Sequence, residues 1–320
     1  MKKKVLITGI SGFAGSHLAE FLIDKKGYEV SGTYLSSASL INLAKVAKKL
    51  HLSQVDLTHQ EDISRFVKEV KPDLIFHLAA LPAVGESFDR PGETMINNVT
   101  AQINLLEAIR KLGFLNCRIL IVSSADMYGR VSKKDLAIDE ETSFYPTNTY
   151  AVSKIAQDFL GLQYFLSYKL KVIRARPFNH IGPRQSPGFV IADFAQKIAK
   201  IEKGELEPVL RVGNLVSRRD FTDVRDMVRA YTLLIEKGIL GEVYNIGSGV
   251  SHKISDMLDI LLSFTKAKIA IEEDPLLFRP QDSPDRVCDN RKFVKLTNWK
   301  PEVPLDQTLK ETLDYWRNIV

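Results

Sequence analysis

The sequence predicts an α/β protein: a doubly wound parallel sheet followed by a smaller α+β lobe. Short apolar runs alternate with helical stretches as far as Pro177, the pattern of strands covered by helices on both faces. A glycine-rich turn follows the first apolar run. After Arg176–Pro177 the alternation loosens into loops, short strands and helices.

In chain order, residues 4–8 (KVLIT) form a buried strand, 9–15 a turn, 17–25 a helix and 28–34 (YEVSGTY) a second strand. A lysine-bearing helical stretch around 42–50 leads to a short strand ending at Asp56. Residues 60–70 make an amphipathic helix stopped by Lys71–Pro72. Strands at 74–78 (LIFHL) and 118–123 (RILIVS) flank a long helix at 97–112. Tyr150 opens another helix, and 171–175 (KVIRA) is a strand. Beyond the loop at 178–188 come a helix (190–202), a strand (205–212), a helix (224–237), a strand (243–246) and a helix (254–265). A charged, proline-bearing loop at 272–285 precedes a terminal helix from Leu305. The expected division is a nucleotide-binding domain over 1–177, to which 216–246 returns, and a second lobe from 178–215 and 247–320.

Composition is ordinary for a globular protein: 320 residues, 45% hydrophobic and 26% charged, enough for a large core. The net charge of +5 is mild and suits an anionic small molecule. No basic block beyond residues 2–4 suggests nucleic acid. The apolar run after those lysines stops at Gly9, too short for a signal segment, and no stretch reaches a membrane span. Two isolated cysteines and six scattered histidines indicate neither a disulfide framework nor a metal site. A soluble, cytoplasmic protein is expected.

Gly9, Gly12 and Gly15 form G-x-x-G-x-x-G between strand and helix. Glycine permits the tight turn and lets a pyrophosphate approach the backbone at the positive helix end. In this context the turn points to a Rossmann-like dinucleotide site. NAD sites usually carry a carboxylate at the end of the second strand. Residues 33–37 (TYLSS) have none, so nothing repels a 2′-phosphate and hydroxyls there can accept it, although no arginine is present. NADP(H) is favoured and NAD(H) possible. Asp56 is either an adenine contact or a strand-end cap.

Tyr150 and Lys154 in YAVSK lie one turn apart on one helix face. An ammonium beside a phenol favours the phenolate, so Lys154 is expected to lower the Tyr150 pKa. Ser124 follows the strand RILIVS, at the sheet edge where open α/β sheets bind ligands. Serine, tyrosine and lysine beside a nicotinamide suit carbonyl–alcohol interconversion. A serine–lysine hydrolase competes, but no G-x-S-x-G elbow is present.

The segments TGISGFAGSHLAEFL, DLTHQEDI, HLAA, NNVTAQINLLEAIR, SSADMYG, YAVSK, RPFNHIGPRQ, RRDFTDVRD and VYNIGSG resemble, in order, the extended short-chain dehydrogenase/reductases acting on nucleotide sugars. RPFNHIGPRQSPGFVIADFAQKIA and RVGNLVSRRDFTDVRD look most like the GDP-4-keto-6-deoxy-D-mannose reductases, with GDP-mannose 4,6-dehydratases next. The resemblance implies that Gly9, Gly12, Phe13, Ala14 and Gly15 underlie the cofactor pyrophosphate. Asp56 and Leu57 match adenine contacts, and Leu78, Ala79 and Ala80 the strand end beside the cofactor. Ser124, Tyr150 and Lys154 match the catalytic triad, and Lys154 would also bond the cofactor ribose. Asn179, Arg219 and Arg279 match contacts to the sugar-nucleotide diphosphate. Phe189 and Val190 are candidates for a guanine pocket and Lys197 for a further nucleotide contact, while His77 reads as a packed core residue.

The implied reaction is reduction of the C4 ketone of a GDP-4-keto-6-deoxyhexose, with dehydratase, epimerase and non-catalytic NADP-binding readings as alternatives. In the dehydratase pattern a glutamate stands where this chain has Asp126, one methylene shorter. The resemblance also implies a homodimer paired through two helices per subunit, at 97–112 and 150–168.

Overall fold

The structure, a computed structural model, describes residues 2–82, 84–278 and 284–320. The first half contains strands β1 (Lys3–Thr8), β2 (Tyr28–Tyr34), β3 (His51–Gln54), β4 (Leu74–His77), β5 (Arg118–Val122) and β6 (Lys171–Pro177). Between them run helices α1 (Phe13–Lys25), α2 (Gln60–Val70), α3 (Glu86–Asp89), α4 (Pro91–Met95), α5 (Ala101–Lys111) and α6 (Thr149–Tyr168). The second half adds strands β7 (Asn179–Ile181), β8 (Val209–Val212), β9 (Arg218–Asp223), β10 (Val243–Ile246), β11 (Ser251–Lys253), β12 (Ala270–Glu273) and β13 (Asp285–Arg286). Its helices are α7 (Val190–Glu202), α8 (Val224–Lys237), α9 (Ile254–Ser263), α10 (Arg291–Thr297) and α11 (Leu305–Arg317).

The expected parallel sheet is present, seven strands in the order β10-β6-β5-β4-β1-β2-β3. The order in which strands are added reverses between β1 and β4, which opens a crevice at their carboxyl ends. The central strands β1, β4 and β5 carry apolar runs because both faces are covered. Period-two alternation sends Val5, Ile7, Phe76 and Leu120 to one face, under α1, α8 and α10. Leu6, Ile75, Ile119 and Ile121 go to the other, under α2, α5 and α6.

A second core lies among α7, α9 and α11, where Ile198, Leu258, Leu261, Leu313 and Trp316 bury against Phe221 of β9. A small sheet joins β7, β9, β11 and β13. Within 216–246, α8 packs in the core of the main sheet and β10 pairs with β6, while β9 pairs in the small sheet. Phe293 and Trp299 pack in the core of the main sheet, not with the lobe, because α10 lies against α8 and β10 and a large apolar ring there is better buried.

Local differences have local causes. The stretch at 42–50 is 3-10 helix, at Ser37–Leu43 and Ala47–Lys49. The helix at 97–112 begins as a π turn, Ile96–Thr100, before α5. The loop at 272–285 carries the ends of β12 and β13 and a 3-10 turn, Pro275–Leu277.

Candidate active site

One cleft of about 1000 Å³ opens at the carboxyl ends of the main sheet and runs across to the second lobe. Every candidate named from the sequence lines it, except Arg279, which lies outside the described residues. The sequence brings them together because β1, β4 and β5 end side by side.

The glycine turn has the shape a dinucleotide requires. Gly9 adopts φ +70°, a region that costs a β-carbon-bearing residue energy. A Cβ on Gly15 would stand 2.3 Å from the Gly9 carbonyl oxygen, so only glycine lets α1 start this close. Gly12 caps α1 and supplies no side-chain acceptor. The first N–H groups of a thirteen-residue helix therefore face the cleft, as an anion site needs. These residues fit a dinucleotide pyrophosphate. Asp56 accepts from the Thr58 backbone N–H at 2.9 Å and its hydroxyl at 2.7 Å, so the strand-end cap is present, and the residue also lines the cleft.

Asn148 caps α6 by accepting from the Ala151 N–H at 2.8 Å. That cap places Tyr150 in the first turn, with Lys154 one turn on and both buried. Lys154 Nζ donates to the Val122 carbonyl at 3.0 Å and lies 5.8 Å from the Tyr150 ring centre. Ser124 lies two residues beyond β5 and caps the following 3-10 turn by accepting from the Asp126 N–H.

The electrostatics correct the expected phenolate. Burial raises the Tyr150 pKa well above the ordinary value, the Asp126 charge adds to this, and a hydrogen bond with Ser124 opposes it. Burial lowers Lys154 to about 7. The ammonium pays for its own desolvation before it can stabilise a neighbouring anion, so Tyr150 holds its proton at neutral pH. His77 is a packed core residue: it bonds the Thr8 hydroxyl at 2.8 Å, and burial followed by the nearby Lys154 lowers it to about 3.

The second lobe supplies the far wall. Asn179 on β7 registers with Phe221 of β9, two residues from Arg219. Phe189 caps α7, Val190 begins it, and Lys197 follows two turns later. Asp220, beside Arg219, is buried and accepts from Ser248, Gly249 and Cys288, which pins the GSG loop beneath the cleft.

Three features escaped sequence reasoning. Asn98 sits in the π turn: its Oδ1 accepts from the Leu81 N–H, and its side-chain amide donates to Ser153 of α6 at 2.9 Å. The carbonyl that the π turn displaces accepts from Gln157 at 2.9 Å. This ties α6 to the cofactor edge. Arg184, also in the cleft, pairs with Glu20 at 2.7 Å and donates to His17. Arg286 forms an ion pair with Asp126. Charge pairing between residues 160 apart leaves no local pattern, so only the fold reveals it. Beneath the site, Asp158 is fully buried and accepts from Arg174 at 2.6 Å, Arg176 at 3.1 Å and the Ser123 hydroxyl at 3.1 Å.

Known proteins share this architecture. A family model described as GDP-mannose 4,6 dehydratase matches residues 6–312. GDP-6-deoxy-D-mannose reductase of Pseudomonas aeruginosa is 34% identical over 320 residues, spanning 100% of this chain and 99% of that protein. GDP-mannose 4,6-dehydratase of Vibrio cholerae is 32% identical over 352 residues, covering 97% of this chain and 92% of its own. The solved structure of RMD from Pseudomonas aeruginosa in complex with NADPH superposes with a TM-score of 0.86 at 33% identity, with both chains fully covered. The chain thus belongs to the GDP-mannose 4,6-dehydratase family of nucleotide-sugar-modifying short-chain dehydrogenase/reductase proteins.

Proposed function

We propose that the protein is an NAD(P)H-dependent oxidoreductase that reduces the C4 ketone of GDP-4-keto-6-deoxy-D-mannose. The observation that carries this reading is the Tyr150 phenol, kept protonated by burial beside Ser124 and Lys154. Reduction consumes a proton donor at the ketone oxygen, and a buried phenol that retains its proton is one. When bound, the nicotinamide coenzyme supplies the hydride to C4. Tyr150 gives its proton to the developing alkoxide, Ser124 orients the carbonyl oxygen, and Lys154 holds positive charge beneath the phenol as it ionises. The glycine turn and the α1 N-terminus take the coenzyme pyrophosphate. Asn179, Arg219 and Arg279 take the substrate diphosphate, and Phe189, Val190 and Lys197 flank its base.

NADPH is favoured over NADH. Ser36 and Ser39 offer hydroxyls at the end of β2, with no carboxylate there to repel a 2′-phosphate. The likeness to a reductase over the whole chain, and to an NADPH complex, supports the same choice. A homodimer is supported by an apolar stripe on α6, where Val152, Phe159 and Leu166 stand exposed seven residues apart. No described helix is long and apolar enough to cross a membrane.

The dehydratase reading keeps the second place because of its family likeness. One assay separates them. NADPH loss is followed with GDP-4-keto-6-deoxymannose, and keto-sugar formation with GDP-mannose. Stoichiometric NADPH oxidation supports reduction. Conversion of GDP-mannose without net cofactor consumption would replace it with dehydration.

A further inference from the structure

The Asp126–Arg286 pair sits in the cleft beside Tyr150, close enough for the Asp126 charge to act on the phenol. Arg286 belongs to β13 and registers with Arg219 of β9. Its side chain is 10% exposed, and its Nε is buried without an acceptor. The guanidinium is thus held by the second lobe and aimed at one carboxylate of the first.

A hexose whose C4 ketone lies at Tyr150 carries hydrogens at C3 and C5 that the ketone acidifies. A free carboxylate there is a base for them. It would take the C5 proton while the C–H electron pair moves into an enolate, whose oxygen Tyr150 protonates. A solvent-derived proton then returns to C5 as the phenol regains its own. For a reductase this is a side reaction. A carboxylate whose oxygen is engaged by a guanidinium is held toward that partner and away from a neighbouring C–H bond.

We propose that Arg286 is a positioning residue that holds Asp126 in an ion pair and so suppresses proton abstraction next to the substrate ketone. This rests on the reduction proposed above. The step at stake is C5 exchange, which consumes no hydride and is therefore measured separately.

The test incubates the enzyme with GDP-4-keto-6-deoxymannose and NADP⁺ in D2O and follows the C5 proton signal by NMR. NADPH oxidation is assayed in parallel. We expect slow exchange in the wild type, at least tenfold faster exchange in Arg286→Met, and near-wild-type exchange in Arg286→Lys. Adding Asp126→Asn to Arg286→Met should abolish the gain, an outcome that loss of packing alone would not give. Arg286→Gln replaces the methionine variant if that one aggregates, with the same expectation. Unchanged exchange in the neutral variants, or a gain that survives Asp126→Asn, overturns the proposal. Absence of NADPH oxidation in the wild type strikes at the reductase reading, and the exchange rates still decide the role of Arg286.

Discussion

Replacing Lys154 with methionine should stabilise the cofactor-free protein at neutral pH while ending its turnover. Lys154 is buried, and its pKa falls from 10.5 to about 7. A buried lysine with a depressed pKa costs stability. The cost is complete below the folded value, near 7, and disappears as pH rises toward the unfolded value of 10.5. At pH 7 it amounts to about 4 kcal/mol, and at pH 9 to about 2 kcal/mol. Methionine fills similar volume but loses the bond to the Val122 carbonyl, worth about 1 kcal/mol. The net gain at pH 7 is then about 3 kcal/mol. The lost hydrogen bond does not titrate, so the pH dependence isolates the charge. Unfolding entropy of roughly 2 cal/mol/K per residue converts the change between pH 7 and 9 to about 3 °C. Calorimetry at both pH values reads it: the wild-type midpoint should climb relative to the variant by that amount. Parallel midpoints would refute the buried, half-neutral lysine.

Tyr150→Phe should lower kcat by about 10²–10⁴-fold, the usual worth of a positioned acid; steady-state kinetics with unchanged NADPH affinity would bear this out. Gly15→Ala places a Cβ 2.3 Å from the Gly9 oxygen, and fluorescence titration should show NADPH affinity at least tenfold weaker. Asp158→Ala strands Arg174 and Arg176 in the interior; thermal denaturation should reveal a loss of about 3–5 kcal/mol. Phe159→Glu charges the exposed α6 stripe, and sedimentation should move from dimer toward monomer.

The sheet was legible because its signal is local. The central strands β1, β4 and β5 carry apolar runs, and the G-x-x-G-x-x-G turn marks the first crossover. The cleft members were legible for the same reason, since Ser124, Tyr150 and Lys154 sit in short recognisable segments. What sequence did not disclose is long-range. Whether Tyr150 gains or loses its proton depends on the depth of Lys154 and on the Asp126 charge, neither of which spacing encodes. Arg286 reaches Asp126 from a two-residue strand, and Phe293 joins the main core from a segment that reads as lobe. The π turn at Asn98 has no pattern of its own.

Hydride transfer to C4 is the central claim, and an isotope label tests it most directly. NADPH carrying deuterium at both C4 hydrogens of the nicotinamide is turned over with GDP-4-keto-6-deoxymannose, and the product is examined by NMR. The account expects one deuterium at the sugar C4 for each NADPH oxidised, and a rate of label transfer lower by about 10²–10⁴-fold when Tyr150 is phenylalanine. A reduced product unlabelled at C4 while NADPH is oxidised would contradict it.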